Sequence, residues 1–490
     1  MKHNFFAMIM TLTIIGLMTQ AFQCGSPEMT GAKVYIQQKN YPAAIDLLVK
    51  DVQKNPVDEE AWFLLGELRE ETGDYEGMNK AFTEALKISN DHAKEIYGIK
   101  YNTWGKLTND GVDFLKKGSA DSVMYYDKAL TELLKAATAW PETSITYKYI
   151  GIAYNSKGDF ANAIKMYTKA WELGKDIETY KMAGRLYASR GLDLKSKFET
   201  DNAEKLRSLK SLAAVDKGSY KADITRELGA PDPPQAGKLE KKKGHAAKKD
   251  DSKKEEWVYS KYNVTFTIEN DKVIGKVFSK PYNPNIDSTS YFAAVDEFNK
   301  AVEVFEAIKK IDPKDNENLS LLLQAYVGAD RIKEATKAFK QAVLNDPGNK
   351  LNHFILGVLY RTVAEYDDAI GEYKAALAID PDYSDALFDL GATIYNCGVD
   401  MKKAAEEKGD ESTAYKQKFQ DALPWLEKVA DMKWKNAQAS AKSGAAVETE
   451  LRTSDAVIWN TLGTIYARLG QADKAATALN EADNIRKNGK

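Results

Sequence analysis

Cysteine and histidine are scarce in this chain, with two Cys and four His among 490 residues. Two thiols cannot build a disulfide scaffold, and four imidazoles leave little material for a metal centre. An excess of either charge is missing too. Lys and Arg number 69 against 72 Asp and Glu, a formal net charge of −3, so no global field draws the protein to nucleic acid or to an anionic membrane. The 13 Pro and 31 Gly are too few for a collagen-like or low-complexity chain. There is no phosphate-cradling glycine loop, no His-Glu-x-x-His and no Cys-x-x-Cys. His3, His92, His245 and His353 stand apart, with no nucleophile or metal partner near them in sequence. These absences argue against an enzyme, a cofactor or a metal site, and for a protein that works by binding.

The N-terminus reads Met1-Lys2-His3-Asn4, and Phe5 to Met18 is then apolar apart from Thr11, Thr13 and Gly16. A short basic region and an apolar core of this length form a secretory signal, too short for the roughly 20 residues of a membrane span. The stretch that follows ends at Cys24-Gly25-Ser26 and resembles a bacterial lipoprotein signal, in which the Cys at the cleavage point takes the lipid. The resemblance implies a signal peptide over 1–23 and lipidation at Cys24. It also implies an outer-membrane lipoprotein facing the periplasm, held to the membrane through its lipid anchor. The alternative is cleavage after Ala21, giving a secreted or periplasmic protein with Cys24 as a spare thiol. Cys397 lies in an apolar helical stretch and is expected to pack.

A chain of this length exceeds one hydrophobic core, which stops growing near roughly 250–300 residues, so internal repeats are sought first. Pro313, Pro347 and Pro381 recur every 34 residues, each after an acidic residue, and Gly357 and Gly391 keep the same interval. Trp62, Leu65-Gly66, Gly73-Asp74-Tyr75, Phe82 and Ala85 make one pattern. Tyr147, Ile150-Gly151, Gly158-Asp159-Phe160, Tyr167 and Ala170 make another, and Trp459, Leu462-Gly463, Tyr466, Gly470 and Ala475 a third. The small residue lets two helices approach, the Gly-Asp-aromatic segment reverses the chain, and the Pro closes the repeat. This period and these residues resemble the tetratricopeptide repeat family. The resemblance implies nine helix–turn–helix repeats, at 27–56, 59–90, 91–141, 144–175, 177–313, 316–347, 350–381, 384–432 and 456–487. In the repeats at 91–141 and 384–432, Thr108 to Asp121 and Lys402 to Thr413 are expected as insertions between the helices.

The period switches within the repeat at 177–313. The segment from Gly218 through Ile224 to Leu228 reads as a short helix with Ser219 as cap and Gly229 as stop. A lysine-rich loop over 236–256 comes next and reads as a linker, with contact to anionic lipid, lipopolysaccharide or an acidic partner as the other reading. Three alternating stretches follow, at Trp257–Tyr259, Tyr262–Ile268 and Val273–Phe278, with Asn270-Asp271 turning the last pair. Leu228-Gly229-x-Pro231, Trp257-x-Tyr259, Val264-x-Phe266 and Asn270-Asp271-Lys272-Val273 resemble the SmpA/OmlA family of small lipoproteins associated with outer-membrane protein assembly. The expected fold is mostly α: a helix–turn–helix solenoid with a small α+β insertion of one helix and a three-stranded antiparallel meander. Residues 24–214 would form an N-terminal array, 215–285 the inserted module, 286–432 a central array, 433–453 a spacer and 454–490 a last repeat.

The repeat pattern assigns first-helix side chains to a groove. It picks out Phe63 (with Glu67), Lys148, Asn155, Phe354, Arg361, Phe388, Tyr395, Asn460 and Arg468, a mixture of aromatic and polar groups suited to peptide binding. Packing against neighbouring helices is the other reading of the same positions. Partners are expected to be other envelope proteins or peptides, with no cofactor and no nucleic acid. The functional expectation is a non-catalytic interaction scaffold of the cell envelope. An accessory factor in outer-membrane protein assembly and a glycan-binding envelope lipoprotein are the alternatives.

Overall fold

The computed structural model describes residues 26–118, 123–233, 254–408, 410, 412–443 and 449–488, with side chains described outside 434–454 and 488. Cys24, His3, His245 and nearly all of the lysine-rich loop fall outside the described residues. Twenty helices and three strands form among those described. The chain divides into two compact units, Met1–Leu186 and Tyr187–Lys490. No helix is long and apolar enough to cross a membrane among the described residues.

In the N-terminal unit the helices come as pairs: α1 (Pro27–Gln37) with α2 (Tyr41–Lys54), α3 (Glu59–Glu71) with α4 (Tyr75–Ile88), α5 (Ala93–Lys117) with α6 (Met124–Ala139), and α7 (Ser144–Ser156) with α8 (Phe160–Gly174). A fixed set of local devices builds each pair. Asp58, Asp74 and Asp159 cap α3, α4 and α8 by accepting the backbone N–H three residues on, which satisfies one orphan donor of the first turn. Between the helices Gly73 and Gly158 both take φ +77°, a left-handed turn that suits glycine. A side chain on the first helix would block the second. A Cβ at Gly66 would stand 2.3 Å from the Phe82 ring, and one at Gly151 would stand 2.5 Å from the Tyr167 ring. Phe82 and Tyr167 are accordingly among the most deeply buried side chains. The expected insertion at Thr108 to Asp121 does not fall wholly between helices. Helix α5 runs unbroken to Lys117 because Thr108 to Lys117 contains no breaker that its packing cannot absorb, and Gly111 faces Leu133.

Helix α9 (Ile177–Asp201) leads into the C-terminal unit. Its part beyond residue 186 lies antiparallel to α12 (Thr289–Ile311): Arg190 pairs with Glu297 at 3.4 Å, Gly191 faces Phe298, and Phe198 meets Tyr291 at 5.4 Å. At the end of this pair the Asn202 amide donates to the Asp287 carbonyl (2.9 Å) and accepts the Asp287 N–H (3.0 Å). The stretch between these two residues holds α10 (Ala203–Ala214), α11 (Lys221–Leu228) and strands β1 (Glu255–Tyr259), β2 (Val264–Glu269) and β3 (Lys272–Phe278), antiparallel in the order β1-β2-β3. Val264, Phe266 and Ile268 alternate inward from β2, and Asn270 (φ 52°) and Asp271 (φ 61°) form the tight turn, both in the left-handed region that a two-residue hairpin of this type requires. Two details differ from the sequence reading. The cap of α11 is Tyr220, whose N–H donates to Asp223 Oδ2 (3.0 Å), while the Ser219 hydroxyl accepts from Asp216 N. Leu212 of α10 also joins Val215 and Ile224 in the module's core, so that core takes in a helix upstream of residue 215.

The remaining pairs are α13 (Asn316–Gly328) with α14 (Ile332–Asn345), α15 (Lys350–Thr362) with α16 (Tyr366–Ile379), α17 (Ser384–Lys408) with α18 (Ala414–Ser443), and α19 (Thr449–Arg468) with α20 (Ala472–Asn488). A Cβ on Gly357 would stand 2.7 Å from the Tyr373 ring. The charged stretch from Lys402 extends α17 to Lys408, and α18, with Pro424 inside it, runs to Ser443 through the first part of the expected spacer.

Candidate functional site

The candidate site is the first-helix face of the N-terminal unit, carried by α3, α5 and α7. Two cross-helix hydrogen bonds fix the order of these helices. Thr103 Oγ1 on α5 donates to Glu70 Oε1 on α3 (2.7 Å), and Trp104 Nε1 on α5 donates to Thr146 Oγ1 on α7 (2.7 Å). Tyr97, Tyr101 and Trp104 follow one another at i, i+4 and i+7 on α5, so they share one face. Tyr97 is 60% and Tyr101 50% exposed. Their rings stack with centroids 6.1 Å apart and planes 11° apart. Trp140, at the end of α6, meets Tyr97 edge-on at 5.3 Å and Trp104 at 5.8 Å. Four aromatic rings therefore form one half-open surface, with the Lys100 ammonium 5.9 Å from the Trp140 ring centre.

On α3, the helix tied to α5 through Thr103 and Glu70, burial pushes the Glu67 carboxyl above the usual glutamate range, with His92 opposing the shift and Glu70 and Glu71 adding to it. On the other side Lys148 of α7 pairs with Asp176 at 3.4 Å, and Asn155 is half-buried. Phe63 is only 7% exposed and stacks on His92 at 4.0 Å. It is a core residue and lends the face no open surface.

In the C-terminal unit the other sequence candidates fall into two contacts. Arg361 Nε donates to the Tyr373 hydroxyl (3.3 Å), and the guanidinium lies 3.6 Å from Asp389, next to Phe388. Burial raises the Asp389 carboxyl, and Arg361 opposes that shift. Phe354 lies 5.9 Å from Tyr373 and 5.2 Å from Tyr383. Further along, Arg468 covers the rings of Tyr395 (5.4 Å) and Phe419 (5.7 Å). Both arginines are thus engaged within the fold. Asn460 is half-buried beside Trp459, which lines a crevice of about 340 Å³ with Leu462, Tyr466, Glu427, Asp431 and Glu481. Among the described residues no group of three His, Cys, Asp or Glu is placed to hold a metal ion.

The aromatic face was missed in the sequence. Tyr97, Tyr101 and Trp104 stand 34 residues after Phe63, Glu67 and Glu70, so the repeat interval does point to them. Lys100 occupies the place of the helix-contact glycine, and the long α5 disguises the repeat.

Family profiles match three stretches of the chain. Tetratricopeptide repeat profiles match residues 29–93 and 456–488, and a TPR repeat profile matches residues 365–398. These stretches are tetratricopeptide repeats. The chain is 36% identical over 94 residues to the N-terminal acetyltransferase A complex auxiliary subunit NAA15 of Arabidopsis thaliana, covering 19% of this chain and 10% of that protein. It is 23% identical over 419 residues to the BBSome complex member BBS4 of Bos taurus, covering 78% of this chain and 68% of that one. The match thus spans about a tenth of the length of the first of these relatives. Among solved structures, MamA aligns at TM-score 0.27 and 18% identity over 42% of this chain and 98% of its own. YrrB, described as a TPR protein with an unusual peptide-binding site, aligns at TM-score 0.27 and 16% identity, over 64% of this chain and 97% of its own.

Proposed function

We propose that this protein is a non-catalytic interaction scaffold of the bacterial cell envelope. In this reading Cys24 carries the lipid and the repeats face the periplasm from the outer membrane. The α3–α5–α7 face holds a segment of a partner protein. The observation that carries the reading is the half-open aromatic surface in which exposed Tyr97 and Tyr101 adjoin half-buried Trp104 and Trp140, on helices tied together by cross-helix hydrogen bonds. Aromatic anchors on a rigid scaffold are the usual energetic centres of protein interfaces. Repeat stacking exposes a long surface without needing an active site.

The test is crosslinking in native membranes followed by partner identification, repeated with Tyr97→Ala/Tyr101→Ala. Partner recovery at a fixed ratio that falls in the double variant supports the reading, and no recovered partner overturns it. Metabolic labelling with a fatty-acid analogue tests the anchor: label lost in Cys24→Ala supports lipidation, and label retained removes it.

A glycan ligand is the second reading, favoured by the same exposed rings, which could stack on sugar faces. Binding of the full chain to a polysaccharide panel would support it. The module between Asn202 and Asp287 motivates a role in outer-membrane protein assembly, tested by whether its deletion lowers barrel-protein levels.

A further inference from the structure

We infer that the α3–α5–α7 face selects an extended peptide with a Lys or Arg about three residues from an aromatic or aliphatic side chain. The basic group would sit against Glu67 and Glu70 and the apolar one on the aromatic surface. The inference rests on the reading above, that this face binds a partner segment.

Charge is the first argument. Glu67 forms no ion pair among the described residues, and Glu70 accepts only the neutral Thr103 hydroxyl. Burial already holds the Glu67 carboxyl above its ordinary range, so part of its hydration is gone before any ligand arrives. A cation laid beside it regains that lost interaction at a smaller desolvation penalty than at a fully hydrated carboxylate. On the opposite side Lys148 is already occupied by Asp176, and Lys100 stands over Trp140 at the far end of the aromatic surface, so the open negative charge is confined to the α3 side, at Glu67 and Glu70.

Ring geometry is the second argument. Tyr97 and Tyr101 stack on each other and meet Trp140 edge-on. The negative π-faces left open favour an apolar side chain or a cation over an anion. Lys100 beside Trp140 shows the preference within the chain itself.

Spacing is the third. Thr103 and Glu70 tie the aromatic helix directly to the acidic one. Packed helices lie about 8–10 Å apart, and an extended chain advances about 3.3 Å per residue. Stepping from α3 to α5 therefore takes about three residues.

The experiment uses the full chain in detergent and two labelled nonapeptides, one with Lys three residues before Trp and one with Glu replacing that Lys. Fluorescence anisotropy should give the Lys peptide at least about tenfold tighter binding, a gap of about 1.4 kcal/mol, and the gap should shrink at high salt. Glu67→Gln/Glu70→Gln, nearly isosteric changes, should weaken the Lys peptide and, by removing like-charge repulsion, strengthen the Glu peptide, so that the gap closes. Tyr97→Ala/Tyr101→Ala should weaken both. Equal affinity for the two peptides, or a gap that survives Glu67→Gln/Glu70→Gln, overturns the inference. Should the tyrosine variant still lose the partner, the scaffold reading stands without it. Binding of a neutral oligosaccharide with neither peptide bound overturns both.

Discussion

At the scale of single residues, the repeat is a set of glycine–aromatic contacts, and the same substitution has opposite effects at different glycines. At Gly66 a Cβ would meet the Phe82 ring at 2.3 Å, whereas at Gly98 it would meet nothing within 4 Å. Gly66→Ala is expected to destabilise by about 1–3 kcal/mol through overpacking. Gly98→Ala, in the middle of α5, is expected to stabilise by about 1 kcal/mol through helix propensity. Urea denaturation of the two variants checks both signs. These glycines were legible because Phe82, Tyr167 and Tyr373 each stand sixteen residues after the glycine they cover. The turn positions were legible only in part. Lys39 (φ 56°), Asp330 (φ 56°) and Ala364 (φ 62°) adopt the left-handed conformation that Gly73, Gly158 and Gly470 also hold. Asp330 is of a type that tolerates this conformation, but Lys39 and Ala364 are not, and no residue type announces the turn at those two positions. Ala364→Gly should relieve that strain and stabilise by about 0.5–1 kcal/mol net of the added chain entropy, read as a shifted denaturation midpoint. An unchanged or lower midpoint would contradict it.

Elements show where local signals were strong and where they were overridden. Helix pairing, the antiparallel sheet and the Asn270-Asp271 turn follow from periodicity and turn chemistry. The lengths of α5 and α17 do not, because polar residues with good helix propensity continue a helix past the point where its apolar stripe ends. Helix starts also carry a pH signature. The Thr179 hydroxyl, followed by Lys148, holds the Asp176 carboxyl below its ordinary value of 3.8. A carboxyl depressed in the folded state contributes stability that is present above 3.8 and lost as pH falls through the lower folded value. The stability gap between wild type and Asp176→Asn should therefore narrow between about pH 5 and about pH 3. Urea midpoints across that range measure it, and a constant gap would contradict the assignment.

For the whole molecule, repeat architecture was legible and the proposed binding face was not. A 34-residue interval survives in sequence because every repeat must bury the same stripe. Which first helix exposes its aromatics depends on what covers each ring, and that is a property of packing. Phe63 and Tyr97 hold equivalent repeat positions, yet His92 covers the first and Tyr97 remains open. The inserted module is separable on the same grounds. Asn202 and Asp287 touch through two hydrogen bonds, so replacing residues 203–285 with a short Gly-Ser link should keep the helical circular dichroism and the thermal transition of the repeats. Loss of that transition would show that the module is part of the repeats' core.

The central claim is that the Tyr97–Tyr101–Trp104–Trp140 surface holds the partner. Its most direct measurement is site-specific photocrosslinking in native membranes, with the photoreactive residue at position 101 and, as control, at exposed Leu192. The account predicts one defined crosslinked product from position 101 that disappears with Tyr97→Ala, and none from position 192. Equal products from both positions, or none from position 101, would contradict it.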